Sequence, residues 1–163
     1  MTPAAVRPAE ARDLARIWEL LHGLAEYERM TELITGSREA FGNALFGSHP
    51  VAESLVAESS GVIVGYALFY PTFSSFRTRT MLWLEDLFVD PAARGSGAGK
   101  ALLMGLARLA LARGCYRVDW HVLEWNLPAI GFYEHMGASR QEADCMQYGL
   151  AETELRQLAG ESC

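Results

Sequence analysis

Lysine is almost missing from this 163-residue sequence: Lys100 is the single one among fourteen Lys and Arg residues. The formal net charge is −6. No basic face or cluster is evident, which excludes broad nucleic-acid binding. Cysteine is scarce too. Cys115, Cys145 and Cys163 are odd in number and widely spaced, which excludes a disulfide framework and points to reduced, inert thiols. No His/Cys/Asp cluster has metal-ligand spacing, so no metal is expected. No apolar run approaches the roughly 20 residues of a membrane span. The opening residues MTPAAVRPAEARD carry no apolar segment of a secretory signal, so a cytoplasmic protein without a membrane partner is expected. With no repeat, linker or low-complexity stretch, residues 1–163 read as a single domain.

Hydrophobic periodicity supplies the elements. AAVRPA reads as a first strand. Asp13 is placed to cap a helix whose apolar residues, Leu14, Ile17, Trp18, Leu21 and Leu24, recur at helical spacing. SREAFGNALF predicts a second helix capped by Ser37. SLVAES and VIVGYALFY predict a hairpin turning at Ser60-Gly61 and ending at Pro71. TMLWLEDLFV is an apolar strand interrupted by Glu85-Asp86; in a regular strand these two point to opposite faces. A helix from Gly99 to Arg113 stops at Gly114, and YRVDWHVLEW is the next strand. Asn126 and Pro128 open a helix that ends at Gly137, and CMQYGL is a last strand before a polar tail. Trp83, Trp120 and Trp125 are assigned to the core. One α/β sheet covered by helices on both faces is expected.

The segment RGSGAGK, Arg94 to Lys100, joins a strand to a helix. At such a junction backbone N–H groups lack intrahelical partners and can converge on a phosphate, aided by the helix dipole. Gly95, Gly97 and Gly99 permit close backbone approach, and Arg94 and Lys100 add positive charge. The P-loop pattern fails by one residue and lacks the metal-binding hydroxyl. The dinucleotide fingerprint G-x-G-x-x-G has Lys100 where its third glycine belongs. The pattern R-x-x-G-x-G is satisfied in full by Arg94, Gly97 and Gly99, with Ser96 and Ala98 at the variable positions.

That loop after EDLFVDPAA, and WHVLEWNLPAIGFYEHMGA downstream, resemble the two signatures of the GNAT family of N-acetyltransferases, which use acetyl-CoA. Tyr27-Glu28, the Glu85-Asp86 pair and WNLPAIGFY are similar to the diamine (spermidine/spermine) and thialysine acetyltransferase branch. The resemblance implies a GNAT fold: an α/β domain with a single mixed, mostly antiparallel sheet, splayed between its fourth and fifth strands. It implies acetyl-CoA in that wedge, held by Leu87, Phe88, Val89, the loop Arg94–Lys100, Asn126, Pro128 and Ala129.

The implied chemistry is direct attack of a primary amine on the thioester. An amine with a pKa of about 10.4 arrives protonated, so it needs an anionic partner and a proton acceptor. Glu85 is the candidate base and Tyr133 the candidate acid for the leaving thiolate. Amides of the LFV segment would stabilise the carbonyl oxygen. Tyr27, Glu28, Glu85, Asp119, Trp120 and His121 are the implied substrate contacts, with Glu142 or Asp144 near the chain end. Diamines, polyamines and lysine-like amino acids are the expected substrates, and a homodimer the expected assembly. Two other readings stand beside this one: a protein or peptide amine as substrate, and a non-catalytic acyl-CoA-binding module.

Overall fold

A computed structural model describes residues 4–141 and 148–160. Five strands form one sheet in chain order: β1 (Ala5–Pro8), β2 (Glu53–Ser59), β3 (Val62–Ser74), β4 (Arg79–Val89) and β5 (Val118–Asp119). The first three pairings are antiparallel and β4–β5 is parallel. The long helices are α1 (Leu14–Glu28), α2 (Arg38–Phe46), α3 (Ala98–Ala112) and α4 (Leu127–His135), followed by a short α5 (Glu152–Leu158). Residues cluster into two compact units, Met1–Leu123 and Glu124–Cys163. No helix among the described residues is long and apolar enough to cross a membrane.

In the first unit the strand alternation sorts side chains onto two faces. Leu55, Ala57, Ala67, Phe69, Leu82 and Leu84 pack with Ala98, Leu102, Leu106 and Ala110 of α3. Val56, Tyr66, Leu68 and Phe88 pack on the other face with Ile17 and Leu20 of α1 and Leu45 of α2. The expected hairpin between β2 and β3 turns at Ser60 (φ 51) and Gly61 (φ 79), the pair of left-handed residues a type I′ turn requires. Ser37 caps α2 as expected, its hydroxyl accepting the Ala40 N–H at 3.1 Å.

Several local expectations are corrected. Pro71 does not end the hairpin; β3 continues to Ser74. Its last partner in β2 is at Phe69, so Pro71 lies beyond the reach of β2. Opposite it, Leu82 donates its N–H to Arg117 O, away from β3. The pair is therefore of the non-hydrogen-bonded kind, and the proline nitrogen faces an edge with no strand neighbour among the described residues, where a missing N–H costs little. The strand expected over residues 116–125 shortens to Val118–Asp119, pairing only Leu82 and Trp83. The last strand falls mostly outside the described residues; Tyr148–Leu150 are not in a strand, and α5 forms where a polar tail was expected. Trp125 is 52% exposed and is no core residue.

Asp13 does not cap α1 with its side chain. Its carboxylate instead accepts from Arg7 Nη1 at 2.6 Å and Nη2 at 3.0 Å, and from the Glu10 N–H at 2.8 Å. This ties β1 to the entry of α1. Arg7 is partly exposed (28%) and also bonds Glu58, whereas Asp13 is buried. The hydrogen bond from Arg7 holds the Asp13 carboxyl below its usual range, against the opposing effect of burial. In the second unit Asn126 is buried and its Oδ1 accepts the Ala129 N–H at 3.3 Å, capping α4, which stops before Gly137 (φ 90).

A depressed carboxylate pKa contributes stability that is present above the unfolded value of about 4 and lost as pH falls. Asp13→Ala is therefore expected to cost about 2 kcal/mol at neutral pH. The deficit should narrow as pH falls below about 4 and be smaller at about pH 3 than at about pH 7, as read from urea midpoints of wild type and variant at both pH values.

Candidate active site

The site in the first unit begins with one extra residue. Leu68 of β3 pairs with Asp86, yet its neighbour Phe69 pairs with Leu84, so Glu85 is a β-bulge. Before the bulge Leu82 and Leu84 face α3; after it Leu87 and Val89 do. The phase of the strand has flipped. As a result Glu85 and Asp86 both reach the α1 face, correcting the opposite-face expectation for a regular strand. Their partners mark that face. Tyr70 O–H and Trp83 Nε1–H both donate to Glu85 Oε2, at 3.0 and 2.9 Å. Tyr66 O–H donates to Asp86 Oδ2 at 3.0 Å.

Tyr66 and Tyr70 were missed in the sequence, and Trp83 was assigned to the core. The available signal was their spacing: residues four apart in a strand share a face, and here it is the face of the acidic pair. Glu85 is exposed and Asp86 half-buried. Burial, with the charges of Glu85 and Glu28, raises the Asp86 carboxyl to about 6, against the lowering hydrogen bond from Tyr66. Burial also raises Glu28, at the C-terminal end of α1. Three carboxylates thus act on one region, a field suited to a cation.

The bulge is followed by an open strand edge. Asp90 donates its N–H to Val64 O at 2.8 Å, toward β3. By alternation the Phe88 amide also faces β3, and those of Leu87 and Val89 face the opposite edge. There the carbonyl of Val89 accepts from Arg94 Nε at 3.3 Å. Because β5 pairs only as far as Trp83, the Leu87–Val89 edge has no strand neighbour among the described residues. Of the three expected residues, Leu87 and Val89 offer backbone groups, while the Phe88 ring is buried against α1.

The glycine loop is anchored from behind by two residues the sequence reading did not select. Asp90 accepts the Ala92 N–H through Oδ1 at 3.0 Å and Arg16 Nη2 through Oδ2 at 2.7 Å. Gly95 and Gly97 take φ values of 77 and 87, which side-chain-bearing residues rarely adopt. Ala98 is buried in the α3 core, and its N–H donates to Ser96 Oγ at 3.4 Å. The amides of Gly95, Gly97, Gly99 and Lys100 have no acceptor among the described residues. The Arg94 guanidinium lies 4.7 Å from the Tyr27 ring centroid and 5.6 Å from that of Phe88, linking the loop to the end of α1.

Further candidates sit at the β4–β5 margin. Asp119 accepts from Arg117 Nε at 2.8 Å, the exposed His121 ring meets the Trp83 edge at 4.7 Å, and Trp120 packs on the α3-side core. In the second unit Tyr133 is half-buried on α4 beside Phe132, with ring centroids 5.2 Å apart, seven residues after the capping Asn126. Pro128 and Ala129 form the first turn of that helix.

Residues 14–138 match the model of the acetyltransferase (GNAT) family. The chain belongs to that family. It is 34% identical over 165 residues to a thialysine N-epsilon-acetyltransferase of Bos taurus, covering 95% of this chain and 96% of that protein. It is 29% identical to an L-ornithine N5-acetyltransferase of Arabidopsis thaliana, covering 82% and 78%. In fold it is similar to an integron cassette protein from the V. cholerae mobile metagenome, with a TM-score of 0.77, 24% identity, and coverage of 98% and 99%. The chain is an N-acetyltransferase, and its sheet, antiparallel except for its last pair, is the sheet expected of a GNAT protein. GNAT acetyltransferases use acetyl-CoA, and the residues here fit that group. Loop amides and a helix N-terminus suit a pyrophosphate, and the open Leu87–Val89 edge suits an amide-bearing arm that pairs like a strand.

Gly97→Ala places a Cβ at φ 87 and is expected to cost about 1–2 kcal/mol. Gly36→Ala, where φ lies outside the left-handed region and no atom lies within 4 Å of the new Cβ, should change stability by less than about 0.5 kcal/mol. Urea denaturation of the two variants tests the contrast.

Proposed function

We propose that residues 1–163 act as one domain that transfers the acetyl group of acetyl-CoA to the primary amine of a small cationic substrate, a diamine, a polyamine or a lysine-like amino acid. The observation that carries this reading is the β4 bulge, which turns Glu85 and Asp86 onto one face with Glu28, next to the open Leu87–Val89 edge. Thialysine and ornithine, named for two relatives, each carry a primary amine at the end of a short chain, in keeping with a localised carboxylate cluster.

Acetyl-CoA supplies the activated acetyl group. The protein does the rest. Its carboxylates bind the ammonium, and Glu85, with Oε2 already held by Tyr70 and Trp83, accepts the proton directly or through a water. The Leu87 and Val89 amides donate to the carbonyl oxygen as charge grows on it. Tyr133 donates a proton to the departing sulfur, and the proton that the new amide nitrogen sheds as the C–S bond breaks restores the phenol, a role resting on the N-L-P-A-I-G-F-Y motif. The Gly95–Lys100 amides, with Arg94 and Lys100, take the phosphates. A homodimer, implied by the family resemblance, in the cytoplasm and without a resident metal completes the reading.

Thiol release from acetyl-CoA is the direct test, run with putrescine, spermidine, spermine, lysine, thialysine, ornithine and a lysine peptide. Turnover on the small amines is expected. Turnover on the peptide alone would overturn the substrate class, and CoA binding without any turnover would favour the non-catalytic module. Tyr133→Phe is expected to lower kcat about 100-fold or more with the KM for acetyl-CoA nearly unchanged; an unchanged kcat removes Tyr133 from the mechanism.

A further inference from the structure

Tyr66 is completely buried in the middle of β3, among Ile17, Leu20, Val56 and Phe88. A residue that only fills such a core has no use for a hydroxyl, and a buried O–H without an acceptor is unfavourable. This one has an acceptor, Asp86 Oδ2 at 3.0 Å, and that acceptor belongs to the bulge beside Glu85. The bond therefore runs from the immobile interior of the sheet to a half-buried carboxylate on the face that holds the candidate amine site. Nothing in the sequence motifs involves Tyr66.

We propose that Tyr66 is a positioning residue of the acetyl-transfer site: its hydroxyl pins Asp86 on the face shared by Glu85 and Glu28, so that the ionised Asp86 completes the negative charge that receives the substrate ammonium. The inference rests on the acetyltransferase reading given above. The groups acting on Asp86 come from three elements: Tyr66 on β3, Glu85 on β4 and Glu28 on α1. The nearby cation, Arg94, lies over the Phe88 and Tyr27 rings. Burial and the two carboxylates disfavour ionisation of Asp86; the Tyr66 bond alone among these favours it. The sign follows. Asp86 is ionised above about pH 6 and the charge that binds the amine is lost below it. Removing the Tyr66 hydroxyl lifts that midpoint, so activity fails at a higher pH.

The test is the pH dependence of kcat and of the amine KM, from about pH 5 to about pH 8, in wild type, Tyr66→Phe and Asp86→Asn, with the best amine of the panel. Tyr66→Phe is expected to move the acidic limb of kcat/KM upward by about one pH unit, as for loss of a hydrogen bond to a charged group. That is about a fivefold loss near pH 6, approaching about tenfold below about pH 5, carried mainly by KM, and less than about twofold at pH 8. Asp86→Asn should abolish this limb and raise KM throughout. The Asp86 carboxyl midpoint, followed by 13C NMR in wild type and Tyr66→Phe, should move with the limb. A role confined to packing would lower the thermal midpoint of Tyr66→Phe and leave the pH profile in place. An unmoved limb and carboxyl midpoint in Tyr66→Phe, or a retained limb in Asp86→Asn, overturns the proposal while amine turnover by the wild type upholds the acetyltransferase reading. A wild type that acetylates no amine defeats that reading and this inference with it.

Discussion

One surplus residue in one strand organises this site. Without the bulge at Glu85, β4 would alternate regularly, and Asp86 would point among the aliphatic side chains facing α3. Burying an unpaired carboxylate there would be costly. With it, two consecutive acidic side chains leave the same face, where aromatic donors are ready for both. The strand regains its alternation in time to put Leu87 and Val89 back into the α3 core. A bulge also bends its strand, and this one sits just beyond the Leu82 and Trp83 pairs, where contact with β5 ends. Acidic cluster and open edge share one origin.

The electrostatic cost of gathering carboxylates is offset locally. Like charges and partial burial raise Asp86, and each hydrogen bond to a charged group returns on the order of 1.5–3 kcal/mol. Three aromatic donors, Tyr66, Tyr70 and Trp83, serve the pair. They are rigid and anchored in the sheet, so the carboxylates are held before any substrate arrives. On the loop side, Asp90 and Arg16 do similar work for the backbone, tying the Pro91 turn to α1 through bonds of 3.0 and 2.7 Å. Preorganisation of this kind is what electrostatic catalysis requires.

Much of this was legible in the sequence, for identifiable reasons. The glycine loop, the Ser37 and Asn126 caps and the Ser60-Gly61 turn each depend on a few adjacent residues. The amphipathic periods of α1 and α3 reveal their buried faces directly. Other features depend on residues far apart in sequence. The bulge exists only in the register between β3 and β4, so Glu85-Asp86 read as an alternating pair. Tyr66 and Tyr70 acquire meaning only once β4 lies beside them. Asp13 had the right type and position for a helix cap, but Arg7, six residues back, made a stronger partner. The length of β5 could not be read from its apolar run, because pairing stops where β4 turns away.

Pro71 carries a consequence for the protein in a crowded solution. Beyond Phe69 the strand β3 has no strand neighbour on that edge among the described residues, and its hairpin end bears Phe73, 64% exposed, and the fully exposed Phe76. An extended edge flanked by aromatic side chains invites pairing with a strand of another chain. A proline in that edge removes the donor on which a continuous foreign ladder would depend. Pro71 thus lets β3 continue to Ser74 while breaking up the edge that this continuation exposes.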